Sequence, residues 1–467
     1  MPVPIPLAFN SYQARSGLAS SQRLVNVYLE KNPESSPFPF SLYGTAGLTA
    51  WKNFSQFDPV YGFEKMGEFL YTVVGLNVFR VNSSGTSLLI GTLPTSPDRV
   101  MMCNNGTQLT ILTSGGQAFS CTSSAGSLVQ IASNYPLSDS ITNLDGFAIA
   151  SVQNNRTFQI SSLNDNTTWA ASDIASVEGN SEKITRVISN GIELWFFKES
   201  MIEVFYNSAN PLFPFERKNG AIIQRGSKAK FSISQSNNSF YFLGSDNIVY
   251  RTSGYQFEAI STFAISKEIE SYAVKDDAFG FNYTIEGHQF YALGFPSENK
   301  FWEFDISLGL WHERESSGGM WRANCFVNFA GKNLVGDSQT GIIYELDLDK
   351  FTENGDTLAR KIVSTTQFDN FYLHTLDQLT LVMDTGVGID GSAQGITPQI
   401  MLKVSTDGGK NYSNEMWQPI GSIGTFETEV FWTSLGYGRS VIFEIAMSDP
   451  VKFAINGAYL NTSKGGS

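Results

Sequence analysis

Histidine, cysteine and charge are all scarce in this chain of 467 residues, and each scarcity closes off a class of function. The cysteines are Cys103, Cys121 and Cys325, an odd number at wide spacing. That encodes neither a disulfide framework nor a zinc site, so they read as small buried hydrophobes. The histidines, His288, His312 and His374, fall in separate segments without the His-Glu-x-x-His spacing of a metal site, and no Gly-x-Ser-x-Gly elbow accompanies them. They are expected as partly buried, hydrogen-bonded side chains. Charged residues make up 16% and apolar residues 42%, which excludes a disordered, highly solvated chain. Basic residues are the rarer sign, and the net charge of −13 repels phosphate. That argues against a nucleic-acid binder relying on a basic surface, although DNA can still pass nearby without sticking.

Long apolar runs are missing as well. No stretch of about 18 apolar residues occurs, and residues 1–10 carry no basic residue ahead of an apolar run. The expectation is a soluble chain with no membrane anchor and no secretory signal. The Asn-x-Ser/Thr triplets at Asn105, Asn155, Asn166 and Asn282 then read as turn chemistry. Gly-rich pieces such as 386–388 lack the Lys-Ser/Thr of a phosphate loop.

What is abundant is a recurring pair of short strand-like runs around a polar turn. Clear pairs are 70–74 with 76–80, 109–112 with 117–121, 194–197 with 201–206, and 240–243 with 248–251. Weaker pairs are 147–152 with 157–160, 290–293 with 301–304, and 334–335 with 342–346. Each reads as a hairpin, and their starts recur roughly every 40–50 residues, the length of a four-stranded blade. A lone hairpin cannot bury its apolar face, whereas a ring of blades can. This predicts an all-β chain with a β-propeller of six or seven blades over 58–366, its hairpins ending near 350. Helical periodicity is sparse and clearest over 265–272, where Ile265, Ile269 and Tyr272 share a face, and that helix is expected on the propeller's outside. From about Gln367 the strands lengthen and Gly-rich connections such as 386–395 appear, predicting a C-terminal β-sandwich over 367–467. Residues 1–57 are Pro- and Ser-rich with one strand-like run at 24–29, and are expected to form an N-terminal arm and a ring-closing strand.

Catalysis finds little footing. Ser405-Thr406-Asp407-Gly408-Gly409-Lys410-Asn411-Tyr412 looks like the Asp-box turn of sialidases, but that motif braces a hairpin and carries no chemistry. Glycoside hydrolysis needs two carboxylates across a sugar, and no pair stands out. The arginines Arg80, Arg99, Arg156, Arg186, Arg225 and Arg251 are scattered. No catalytic residue, metal ligand or cofactor is assigned. Aromatic residues reach 13%, with 36 phenylalanines. Blade-to-blade packing accounts for most of them, while the runs 54–61, 210–215 and 368–372 are candidate protein interfaces.

Several segments together resemble the tail hub, or tail nozzle, proteins of short-tailed bacteriophages of the Salmonella type, also called packaged-DNA stabilisation proteins. Gln22-Arg23-Leu24-Val25-Asn26-Val27-Tyr28-Leu29-Glu30 and Leu42-Tyr43-Gly44-Thr45-Ala46-Gly47-Leu48 are similar to the family's opening, with Ala46 where proline is usual. Glu203-Val204-Phe205-Tyr206, Pro214-Phe215, Gly220-Ala221-Ile222-Ile223-Gln224-Arg225-Gly226, Gly254-Tyr255-Gln256 and Ile269-Glu270-Ser271-Tyr272 resemble its middle. Trp311-His312-Glu313-Arg314, Trp321-Arg322 and Val335-Gly336-Asp337 look like a late-blade signature, and Ser405 to Gly409, Val430-Phe431-Trp432 and Leu435-Gly436 resemble the C-terminal sandwich.

The resemblance implies a structural virion protein, assembled in the host bacterial cytoplasm, that forms a homohexameric ring. Its implied neighbours are the portal-adaptor above it and the tail needle and tail fibre or spike proteins. Double-stranded DNA would pass through the channel without sequence-specific binding. The role implied is to extend that channel and retain the packaged genome until ejection. The competing reading is a carbohydrate-active propeller, a sialidase-like depolymerase or lectin, acting on the host surface.

Overall fold

The computed structural model describes residues 2–94, 99–123, 126–368, 372–391 and 394–464. Strand accounts for 54% of the chain and helix for 3%, so the all-β expectation holds. Six blades are each built from four consecutive antiparallel strands, over 60–92, 101–130, 138–176, 186–223, 234–259 and 279–313. The three strands within 323–347 form a closing sheet whose fourth, outermost strand is Gly47–Asn53. This sheet stands between blade 6 and blade 1: Leu334 and Ile343 pack with Val60 and Val74 on one side, and Val335 and Tyr344 with Phe279 and Phe281 on the other. The seven hairpins legible in the sequence are the two middle strands of these seven sheets.

The propeller has no single centre of apolar mass. Its core is a set of wedges between neighbouring blades, which is where the phenylalanines go. Phe158, Phe196 and Phe205 fill the wedge between blades 3 and 4, with the Phe158 and Phe196 rings 4.5 Å apart. Trp195, Phe197, Phe240 and Phe242 fill the next. The Phe196 and Phe205 rings meet edge to face at 5.1 Å, and such pairs add about 0.5–1.5 kcal/mol each beyond the area they bury. The helix runs over Phe263–Ser271, capped by Thr262, whose hydroxyl accepts the Ile265 amide at 3.3 Å. It buries Ile265 and Ile269 against blades 5 and 6, and Tyr272 just beyond it accepts the Trp302 indole N–H at 3.1 Å.

The second body is a sandwich. One sheet runs Val27–Lys31, Phe40–Gly44, Ala454–Lys464, His374–Met383, Val430–Thr433, with Val3–Ile5 beside Ala454–Lys464. The other runs Ser21–Val25, Arg360–Val363, Ser440–Met447, Gln399–Ser405, Met416–Pro419. Their inner faces meet in a core that includes Leu29, Leu42, Ile362, Leu379, Leu381, Phe443 and Ile445. Of the segment expected as an arm over 1–57, the strand Gly47–Asn53 closes the propeller, while Ser21–Val25, Val27–Lys31 and Phe40–Gly44 lie in the sandwich. Arg360–Val363, just before the boundary expected at 366, also lies in a sandwich sheet.

Asn26 makes this double use possible. It is 2% exposed, has φ +53°, and turns the chain from one sandwich sheet to the other. Asparagine tolerates that left-handed conformation better than most residues. Its side chain donates to the carbonyls of Glu315 (3.0 Å) and Ala359 (2.8 Å) and accepts the Glu315 amide at 3.0 Å. One strand residue away, Val25 pairs with Glu313, the last residue of blade 6, so a sandwich sheet continues into the propeller.

Candidate functional site

Three places bear on function: the propeller axis, the seam between the bodies, and the exposed apolar side chains. The axis is narrow. The inner strands of the blades converge on a cavity of about 300 Å³, lined by residues such as Phe63, Met101, Thr142, Phe231, Phe281 and Phe326, together with Arg99 and Arg186. Arg99 donates to the Asn324 carbonyl at 2.6 Å and to the Asn324 side-chain oxygen, and lies over the Phe279 ring. Arg186 donates to the carbonyls of Lys230 (2.8 Å) and Ile233 (2.7 Å). No Asp or Glu lines the cavity among the described residues. Two arginines that look scattered in the sequence thus line one cavity, because Arg99 lies just before the inner strand of blade 2 and Arg186 opens that of blade 4. Their placement at the start of inner strands, two blades apart, is the signal that sequence reading passed over.

The seam gathers one cluster of buried ionisable groups. Glu303 is fully buried and accepts from His312 Nε2 and the Tyr283 hydroxyl, each at 2.8 Å, with Arg314 at 3.6 Å. Burial pushes the Glu303 carboxyl up, yet Arg314, His312 and Tyr283 outweigh it and hold the group below its ordinary value. Arg314 also lies flat over Trp321, 3.9 Å from the ring centroid. His288, in the same blade, contacts Asp305 at 2.7 Å and, across the seam, Glu30 of the sandwich at 3.6 Å. His288 and His312 therefore lie on neighbouring faces of blade 6, both against Tyr28, and each has a carboxylate partner. No cluster of metal-ligating side chains is found among the described residues.

The hydrogen bond to Asp305 is the main cause that raises the His288 pKa, against burial and with help from Glu30. A raised pKa stabilises the folded state fully below the ordinary histidine value, and that contribution is lost as pH rises through the folded value. The melting temperature of the wild type is therefore expected to fall more than that of His288→Gln between about pH 6 and pH 8.5. Parallel thermal melts at matched ionic strength check this; identical pH profiles would remove His288 from the seam's energetics.

The Asp-box-like turn is a brace. Asp407 Oδ1 accepts from Ser405 Oγ (2.8 Å) and from the amides of Lys410 and Asn411 (3.0 Å each), while Oδ2 accepts from the Asn411 side chain at 2.7 Å. These bonds hold the Asp407 carboxyl well below the usual carboxylate range. Gly408 has φ +79°, and a Cβ on Gly17 would sit 2.2 Å from the Gly408 carbonyl, so the N-terminal segment is seated against this turn. Cys103 and Cys121 are buried and Cys325 half-buried, all three as free thiols; burial raises Cys121 to about 11 and Cys325 to about 12, leaving them unreactive.

The aromatic runs divide. Phe54 packs against Phe79, its ring tilted by 35°, while Phe57 is 93% exposed; Leu212 is 90% exposed while Phe215 is buried between blades 3 and 4. Phe368 and Tyr372 are exposed, and residues 369–371 between them lie outside the described residues. Phe263, Phe426 and Tyr437 are further exposed aromatics that the sequence reading did not single out.

Two family descriptions match the sequence: "Bacteriophage P22 Gp10, beta-propeller" over residues 22–351 and "Bacteriophage P22 Gp10, beta-sandwich" over residues 336–463. Among curated proteins none matches this chain. Solved structures of similar shape include the computationally designed Ika8 protein, at 6% identity and a TM-score of 0.42, covering 64% of this chain and 99% of that one. BamB from Moraxella catarrhalis is similar at 11% identity and a TM-score of 0.41, covering 69% of this chain and 97% of that one. With both of its bodies matched, the chain belongs to the bacteriophage P22 Gp10 family, the tail nozzle or packaged-DNA stabilisation proteins, and is a structural protein of the phage tail.

Proposed function

We propose that the chain is a subunit of the hub or nozzle of a short phage tail, a hexameric ring below the portal-adaptor that extends the DNA channel and retains the packaged genome until ejection. The observation that carries this reading is the family match over both bodies, propeller and sandwich. The axial cavity of about 300 Å³ supports a DNA path between copies, since a duplex is far too wide for a single propeller's axis. The net charge of −13 suits a channel wall from which DNA must leave, because a wall rich in Lys and Arg would hold it through released counterions. Exposed side chains such as Phe57, Leu212 and Phe263 offer anchors for neighbouring copies, the adaptor, the needle, and fibre or spike proteins. Assembly takes place in the host cytoplasm, and the ring forms on the adaptor.

The role is non-catalytic on this reading. A carbohydrate-active propeller would need two carboxylates across a sugar, and the described lining of the axis supplies none. The test is a DNA-retention assay on particles assembled without this protein. Their genome is expected to become accessible to nuclease soon after packaging, and particles that keep their DNA would overturn the proposal.

A further inference from the structure

The axial cavity contains a cation whose hydrogen-bonding capacity is only partly used. Arg186 spends Nη1 on the carbonyls of Lys230 and Ile233, in the segment leading to the inner strand of blade 5. Its Nε–H and Nη2–H groups meet no acceptor among the described residues. Neither group is fully enclosed, so both border open space, and Arg186 lines the cavity. A guanidinium removed from bulk water is normally matched by a carboxylate or another anion, because an uncompensated buried charge is costly. Here no carboxylate is present among the described lining residues, and Arg99 adds a second guanidinium to the same cavity. Burial lowers the Arg186 pKa to about 10, which leaves the side chain charged at neutral pH. Thr142 spends its hydroxyl on Ser189, Asn324 spends its amide on Val60 and Arg99, and Phe231, Phe281 and Phe326 wall the space.

We propose that the propeller axis is a binding site for a small free oxyanion, a phosphate or carboxylate, that takes the open N–H groups of Arg186 beside Arg99. The planar fork of a guanidinium matches two oxygens of such a group, giving paired charge-assisted hydrogen bonds. The volume of about 300 Å³ fits a free anion with a few waters and is too small for a folded segment of another protein. The bound anion would tie blades 2 and 4 across the axis, a role independent of whether the chain retains DNA.

The experiment uses the full chain with inorganic phosphate and, separately, citrate, at ionic strength held constant with chloride. Phosphorus NMR is expected to show saturable broadening of the phosphate line in the millimolar range, and calorimetry shows which of the two anions binds tighter. Arg186→Met is expected to weaken binding by about tenfold or more, the loss of one charge-assisted pair. General stabilisation by excluded anions would affect wild type and variant alike, so it does not imitate the result. A second measurement needs no variant: phenylglyoxal modification mapped by mass spectrometry should be slowed by the anion at Arg186 and unchanged at the exposed Arg225. Absence of binding by both anions, binding unaffected by Arg186→Met, or modification of Arg186 that neither anion slows would overturn the site.

Discussion

Leu48→Asp is expected to destabilise the protein by on the order of 5 kcal/mol or more, enough to abolish folding of a typical domain. Leu48 is 1% exposed, pairs with Leu346 across the closing sheet, and packs in the wedge that holds Tyr28, Phe281 and Trp321. Removing the side chain alone would cost about 2–5 kcal/mol, and a carboxylate placed there has no partner. The position matters beyond its own contacts. Gly47–Asn53 joins the closing sheet from far away in the chain, so weakening it loosens the sheet that closes the ring. Thr49→Lys, one residue on, exposed and opposite Glu345, should stay within about 0.5 kcal/mol of wild type. Urea unfolding of the three proteins measures the difference; similar midpoints for Leu48→Asp and Thr49→Lys would mean that strand closure contributes little.

The second large effect is expected at Glu203. Its carboxylate and the Lys198 ammonium are both fully buried and lie 3.1 Å apart. Glu203 also accepts the Gly179 amide at 2.8 Å and pairs with Arg217, while Lys198 donates to the carbonyls of Val177 and Asn180. The network fastens the connection between blades 3 and 4 to the middle of blade 4. Glu203→Ala leaves Lys198 buried without its counter-charge, at a cost of about 3–5 kcal/mol. Arg217 is more than a third exposed and can turn to water, so it adds little to that figure. The double variant Lys198→Met with Glu203→Leu should recover much of the loss, because replacing both charges removes the unpaired one. A double variant less stable than Glu203→Ala would show that the loop carbonyls, and not the charge pair, govern this corner.

Much of the propeller was legible because the middle strands of each blade are buried on both faces. Runs such as Leu70 to Val74 and Phe240 to Leu243 carry dense apolar sequence around a polar turn. The inner and outer strands are short, polar or half-exposed, and strands such as Ser234–Ser236 and Val129–Gln130 give no periodic pattern of their own. The sequence alone is compatible with six or seven blades for the same reason: the closing sheet depends on pairing Gly47–Asn53 with Ile342–Asp347, and no local pattern announces so distant a partner. The sharing of the N-terminal segment between both bodies is hidden likewise, although Asn26, at its centre, stands inside the stretch that resembles the family's opening. The axial arginines were invisible as a pair because only the closed ring brings positions 99 and 186 together. The brace at Asp407 was readable in full, since every bond it makes lies within four residues.

Electron microscopy of intact tails tests the central claim most directly. The account predicts copies of this chain in a hexameric ring on the tail axis beneath the adaptor, with the DNA path enclosed between subunits and each propeller's own axis too narrow to admit it. Copies placed off the axis, or DNA threaded through a single propeller, would contradict it.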